Sequence, residues 1–264
     1  MPEASLRYYA CGFTEHNIGQ VFHGQERDMR TFPSGVFLFE HTSGQRVLYD
    51  TGYAPTMEGT GIKGALYSKL LPPFVQPEDS IEHQLKNDGI DPRSIGFVVL
   101  SHLHPDHIGG VRFFPESQFI ISEGMQRTLQ KSRLREGFIK ALLPDWFDDA
   151  SKTILSADDL TSGQNGEVEG YDLFGDNSYL ITELPGHAQG QLGALVLSKT
   201  LLAGDASWGR EFLTKADDLK LVPRTISHDS LAYSNTAHRL LELEKDGVNI
   251  IFSHDARPKG FIEL

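Results

Sequence analysis

The chain has 264 residues, 39% of them hydrophobic and 23% charged, the balance of a folded globular protein; collagen-like, coiled-coil and disordered classes are excluded. A chain this long buries most of its unfolded surface without staples, and its single cysteine, Cys11, excludes both an internal disulfide and a thiolate zinc site. A formal charge of −12 repels phosphate backbones and anionic lipid, which argues against nucleic-acid or membrane partners.

Cysteine usage points to a reducing, cytoplasmic setting. Residues 1–13 lack the basic-then-apolar pattern of a secretory leader, and no apolar run reaches bilayer-spanning length.

In chain order, residues 34–41 (SGVFLFEH) and 46–50 (RVLYD) read as strands joined through Ser43-Gly44. Residues 53–77 carry Pro55, Gly59, Gly61, Pro72 and Pro73 and read as a long loop with one helical turn. Asp79-Ser80 caps a helix over 81–87 that Gly89 ends. The apolar run 95–101 (IGFVVLS) suits a strand buried on both faces, and 118–122 is a second short strand.

Residues 123–135 and 137–143 read as helices, the latter apolar through Phe138, Ile139, Leu142 and Leu143. Strands follow at 178–184, 192–198 and 200–203. Tyr233, Ala237, Leu240 and Leu241 mark a long helix that ends at Gly247, and 248–253 (VNIIFS) closes the pattern as a buried strand. The alternation favours one domain over 1–264 with sheets inside and helices outside. It carries a loop insert at about 53–77 and a helical segment at about 123–147.

The strongest chemical signal is His102-Leu103-His104-Pro105-Asp106-His107, directly after the strand 95–101 and before Gly109-Gly110. On an extended segment residues two apart share a side, so His102 and His104 can grip one ion together. After Pro105 the chain must turn, and Asp106 and His107 can face a second ion. Imidazole and carboxylate suit zinc, iron, manganese or cobalt, with zinc the default for hydrolysis. His187, Asp205 and His254 are further ligand-type residues just past strands.

In order, Asp50-Thr51-Gly52, the H-x-H-x-D-H box, Pro185-Gly186-His187, Gly204-Asp205 and Ser253-His254 closely resemble the metallo-β-lactamase superfamily over residues 34–256. The resemblance implies an αββα sandwich with the site at one edge of the sheets. It implies two divalent metal ions, the first on His102, His104 and His187, the second on Asp106, His107 and His254. Asp205 would bridge them, and Asp50 would orient ligands from behind. The implied chemistry is two-metal hydrolysis of a carbonyl by a bridging hydroxide, with Asp106 passing the proton to the leaving oxygen.

Within the superfamily the chain most resembles the N-acyl homoserine lactonases, through Ser101–Gly110, the run Gly190-Gln191-Leu192-Gly193 after His187, and Asp205-Ala206-Ser207. That subgroup places a substrate-binding tyrosine next; here the residue is Trp208, which offers one N–H donor and an apolar face for an acyl pocket. The implied activity is opening of a small acyl lactone or ester. The alternatives are a thioester hydrolase of the glyoxalase II type and a non-catalytic metal-binding sensor. Redox diiron relatives carry Glu where His104 stands, which sets that branch aside.

Phe74, Phe138, Leu142, Trp146 and Phe147 can wall an acyl site, although core packing is the reading for most of them. His228, beside Asp229 at a helix start, reads as a capping or surface residue. His16, His23, His41, His83 and His238 have no ligand spacing and read as structural or solvated. Gly59-x-Gly61-x-x-Gly64 matches a dinucleotide fingerprint but does not follow a strand end, so it is rejected.

Overall fold

A computed structural model describes residues 3–131, 136–161 and 163–264. The first part of the chain lays down β1 (Ser5–Asn17), β2 (Met29–Glu40), β3 (Arg46–Tyr49), β4 (Phe97–Val99), β5 (Gln118–Ser122) and β6 (Lys152–Leu155). The second lays down β7 (Gly163–Asn165), β8 (Val168–Asp172), β9 (Tyr179–Glu183), β10 (Leu192–Val196), β11 (Thr200–Leu202) and β12 (Asn249–Ile251), and β13 (Gly260–Ile262) returns to the start. Among the described residues they form a seven-stranded sheet, β13-β1-β2-β3-β4-β5-β6, and a six-stranded sheet, β12-β11-β10-β9-β8-β7. The α-helices are α1 (Ile18–Val21), α2 (Gly61–Leu70), α3 (Ile81–Asn87), α4 (Pro105–Ile108), α5 (Glu123–Gln130), α6 (Leu221–Ile226) and α7 (Ser230–Lys245).

The continuous apolar runs of the second sheet serve two faces. Successive strand residues point to opposite sides. Tyr179, Ile181, Leu192, Ala194, Val196, Leu202 and Ile251 therefore enter the core between the sheets. Leu180, Leu195, Leu201 and Ile250 turn the other way and pack beneath Tyr233, Ala237 and Leu240 of α7. Between the sheets the Tyr49 hydroxyl donates to the Leu192 carbonyl at 2.8 Å, and the Phe39 and Tyr179 rings meet at 5.4 Å. Ile81 and Leu85 of α3 and Met125 of α5 join the same core from the first sheet's side. The result is the expected αββα layering.

Several elements depart from expectation. β1 is a 13-residue strand that pairs with β2 and was not foreseen. Its register shifts between Ala10 and Phe13, where Gly12 takes φ +86°, so the two-residue alternation that marks a strand is broken. The insert holds the ten-residue α2 rather than one turn. Its two glycines and a Thr60 cap that accepts no side-chain bond give it weak helical character. The expected helix over 137–143 is extended chain with a 3-10 turn at Lys140–Leu142, because Gly137 sits at φ +64°. The helix expected over 123–135 ends at Gln130, and residues 132–135 lie outside those described.

Candidate metal centre

Four candidate ligands and the supporting Asp50 stand beyond the C-terminal ends of strands: Asp50 after β3, His102 after β4, His187 after β9, Asp205 after β11 and His254 after β12. Loops at these ends converge on one edge of the sandwich. β4 and β12 stop earlier than the apolar runs suggested, and the residues released carry the site. His104 remains extended, at φ −73° and ψ 156°, and Pro105 opens α4 at its first position, where a missing N–H costs nothing.

Two ligand groups result, one of His102, His104, His187 and Asp205, the other of Asp106, His107, Asp205 and His254, with donor atoms in each within 4.8 Å of one another. Asp205 belongs to both. Its Oδ1 lies 3.4 Å from His107 Nε2, and its Oδ2 lies 3.1 Å from His254 Nε2, 3.4 Å from His187 Nε2 and 3.7 Å from His102 Nε2. Asp106 Oδ2 lies 3.5 Å from His107 Nε2 and 3.7 Å from His254 Nε2.

The nitrogens on the far sides of the rings fix which atoms face inward. His107 Nδ1–H donates to Asp50 Oδ2 at 2.7 Å. His254 Nδ1–H donates to the Pro33 carbonyl at 2.8 Å, and His102 Nδ1–H meets Ser101 Oγ at 2.9 Å. Each bond leaves an Nε2 lone pair aimed at the centre. Asp50 also accepts from Ser101 N and Ser101 Oγ, both at 2.7 Å, and it is fully buried at φ +62°. An aspartate tolerates that left-handed conformation better than most residues. Gly52 follows at φ +72°, where a Cβ would stand 2.2 Å from that of Cys11.

Imidazole nitrogens and carboxylate oxygens converging at these distances could hold a cation between them. Among the described residues, His102 Nε2, His107 Nε2 and Asp205 Oδ1 are buried with no hydrogen-bond partner. Such orphaned atoms are costly unless something compensates them. The donor set of imidazole and carboxylate fits divalent transition metals.

The charges agree. Burial disfavours an ionised Asp205, yet His254 and His107 hold its carboxyl well below the usual range. Asp106 is likewise held at about 2, against burial, chiefly by His107. Burial opposes charge on His254, but Asp205 and then Asp106 raise it to about 9. Burial pushes His187 down to about 3, and it pushes His102 well below its ordinary value with help from His107 and His104. The carboxylates stay ionised and draw positive charge into the cluster.

A cavity of about 250 Å³ opens onto this cluster, lined by His104, Asp106, His187, Asp205 and His254 on one side. Thr14, His16, Phe32, Tyr53, Tyr67, Leu71 and Trp208 supply the remaining wall. Trp208 lies edge-on to His16 and Phe32, with ring centroids 5.3 and 5.5 Å away. Gly137 also borders the cavity, where a Cβ would come within 2.8 Å of His104 Nε2.

Most of the apolar residues of 137–147 pack in the core, the reading favoured for them, and none of the aromatic ones walls the cavity. Phe138, Leu142 and Phe147 are buried in the main core, Trp146 packs against it, and Phe74 stacks on Phe13 at 5.0 Å. His228 is not a cavity residue; its Nδ1 faces the Glu136 carboxylate at 3.3 Å while Asp229 caps α7. His16, read as structural or solvated, is a cavity residue. Burial, with His254 nearby, lowers it to about 4 and keeps it neutral. Tyr53, Tyr67, Thr14 and Phe32 were not singled out in sequence either. Their positions depend on the register of β1 and β2 and on the path of the insert, which no local motif marks.

The profile of the "Metallo-beta-lactamase superfamily" matches residues 29–254. The chain belongs to the metallo-β-lactamase superfamily. It is 29% identical over 237 residues to the N-acyl homoserine lactonase AiiB of Agrobacterium fabrum (strain C58), an alignment covering 84% of this chain and 79% of AiiB. It shares its metallo-β-lactamase fold with an N-acyl homoserine lactone hydrolase solved with N-hexanoyl-L-homoserine at its catalytic metal centre. That pair has a TM-score of 0.73 at 22% identity, over 97% of this chain and 94% of the other. The fold of AidC, a dizinc quorum-quenching lactonase solved with a product, is also similar, with a TM-score of 0.65 at 15% identity over 99% and 90% of the two chains.

Proposed function

We propose that this protein is a dinuclear metal-dependent hydrolase that opens the ring of N-acyl homoserine lactones. The observation that carries the reading is a cavity whose floor is the ligand cluster and whose wall is apolar and aromatic. The lactone would sit over the ligands, with the acyl chain along Phe32, Leu71 and Trp208. The similarity to AiiB supports the same substrate class.

His102, His104 and His187 would hold one ion and Asp106, His107 and His254 the other, with Asp205 shared; zinc is the default for this donor set. Two such ions supply an acidified water and a polarised carbonyl. The chain's own residues do the rest. Asp50 fixes the His107 ring from behind through a 2.7 Å bond, and Ser101 does the same for His102. Asp106 is an ionised carboxylate at the cavity edge, and it would accept the proton of the attacking water. It returns that proton to the alkoxide that leaves as the ring opens. Trp208 and Phe32 keep bulk water from the acyl side.

Ring opening liberates an acid, so the test is proton release at pH 8 from a long-chain N-acyl homoserine lactone, before and after metal stripping. We expect fast release that stripping abolishes and re-addition of metal restores. No release from protein that holds two ions per chain would discard the lactone, and a thioester would be tried next.

A further inference from the structure

α2 is turned the wrong way for an ordinary surface helix. Ile62, Leu66 and Leu70 recur every four residues and so share one face. That face is the outer one, with 89%, 49% and 67% of these residues exposed. The inward side presents Gly64 and Tyr67. Tyr67 reaches the cavity, and its hydroxyl meets that of Tyr53 at 3.0 Å. Just beyond α2, Phe13 and Phe74 exchange backbone bonds of 2.9 and 2.8 Å and stack their rings. The insert is thus fastened beyond the helix by backbone and within it by the phenol pair.

The pair leaves a donor over. Two phenols carry two O–H groups, and their contact with each other uses one. Among the described residues neither hydroxyl has another hydrogen-bond partner. Both rings border the cavity beside His104, Pro105 and Asp106. The free O–H lies at the cavity wall, where a bound ligand can accept it. Tyr53 is sealed, at 1% exposure, whereas Tyr67 is only partly buried. The arrangement that serves both has Tyr53 donating to Tyr67 and Tyr67 donating outward. Burial and the nearby Asp106 hold both phenols well above their ordinary value, so both remain donors.

We propose that Tyr67, set in place by Tyr53, contacts the substrate by donating a hydrogen bond to the lactone carbonyl oxygen as negative charge develops on it. The inference rests on the lactonase reading above. No proton is transferred at Tyr67; the bond shortens as charge builds, and the donor behind it polarises it further. Tyr53 is then a positioning residue.

The test uses the metal-loaded full chain, an N-acyl homoserine lactone in excess, and the variants Tyr67→Phe, Tyr53→Phe and the double variant. Tyr67→Phe should lower kcat on the order of 100-fold with KM nearly constant. Tyr53→Phe should cost about fivefold, and the double variant should be no worse than Tyr67→Phe. Metal content and thermal midpoint should match the wild type. A merely structural pair predicts the reverse pattern, because either substitution breaks the same bond: equal losses that follow the thermal midpoint. That result, or a Tyr67→Phe kcat within about twofold of an active wild type, overturns the inference and leaves the lactonase reading standing. A wild type that carries both ions and opens no lactone sinks the reading, and this inference with it.

Discussion

Two clusters of charge in this molecule differ in whether they close on themselves. Asp88, at the end of α3, accepts from Arg7 Nη1 at 3.0 Å, Tyr9 Oη at 2.9 Å and Lys259 Nζ at 3.1 Å. Its oxygens are served by the protein's own cations, and solvent reaches it. Among the described residues Asp205 has no lysine or arginine partner. Its neighbours are imidazoles, with His254 Nε2 3.1 Å from Oδ2, and among the described residues its buried Oδ1 has no hydrogen-bond donor. A carboxylate cluster satisfied by its own chain is a stabilising device; one left unsatisfied in the interior asks for a cation from outside.

The largest way to break this contrast is Asp205→Asn. Asp205 is the member common to both ligand groups, so the variant should hold fewer than two ions per chain and lose lactone opening on the order of 10³-fold. Metal content by atomic emission, read beside kcat, checks it. A variant with full metal and near-normal turnover would mean that Asp205 resembles Asp88, a charge settled by its neighbours.

A smaller effect is expected behind the ligands. In Asp50→Asn the amide would set an N–H against His107 Nδ1–H or lose a Ser101 bond, because Asp50 accepts three bonds and has no donor to spare. Such supporting residues are worth about 10–100-fold in metal affinity. Competition with a chelator of known affinity measures it. An unchanged affinity, with His107 still in place, would show that the 2.7 Å bond orients nothing.

The ligand cluster was legible in sequence because its geometry is local. His102 to His107 lie on one loop, and the other members each follow a short buried strand. Asp50 was legible as part of Asp50-Thr51-Gly52, in which Thr51 Oγ1 binds the His107 carbonyl at 2.7 Å. The layers could be read because apolar runs of strand length alternate with helical periods. The cavity wall could not. His16 reaches it only because β1 shifts register between Ala10 and Phe13, and Tyr67 only because a glycine-containing segment folds as α2. Phe138 and Leu142 could by composition serve either wall or core, and after the turn at Gly137 they lie in the core. Long-range packing decides such positions.

The mildest prediction returns to Asp88. Its carboxyl is held below the ordinary 3.8, against the effect of burial, by Lys259, Tyr9 and Arg7. A carboxyl whose pKa is depressed by folding binds fewer protons folded than unfolded as pH falls through that region, so its stabilisation is present above about pH 4 and drains away in acid. Asp88→Asn should therefore cost about 1 kcal/mol or less at pH 7, discounted because solvent screens a partly exposed cluster. The cost should shrink toward zero as the medium falls below the depressed value. Salt should shrink it too, at neutral pH, because the partners are within reach of counter-ions. Urea midpoints of wild type and variant, compared at pH 7 and at about pH 3, read the difference directly. A gap that persists undiminished in acid would assign the effect to the shape of the hydrogen-bonded cluster and not to its charge. Asp88 would then differ from Asp205 in kind as well as in burial.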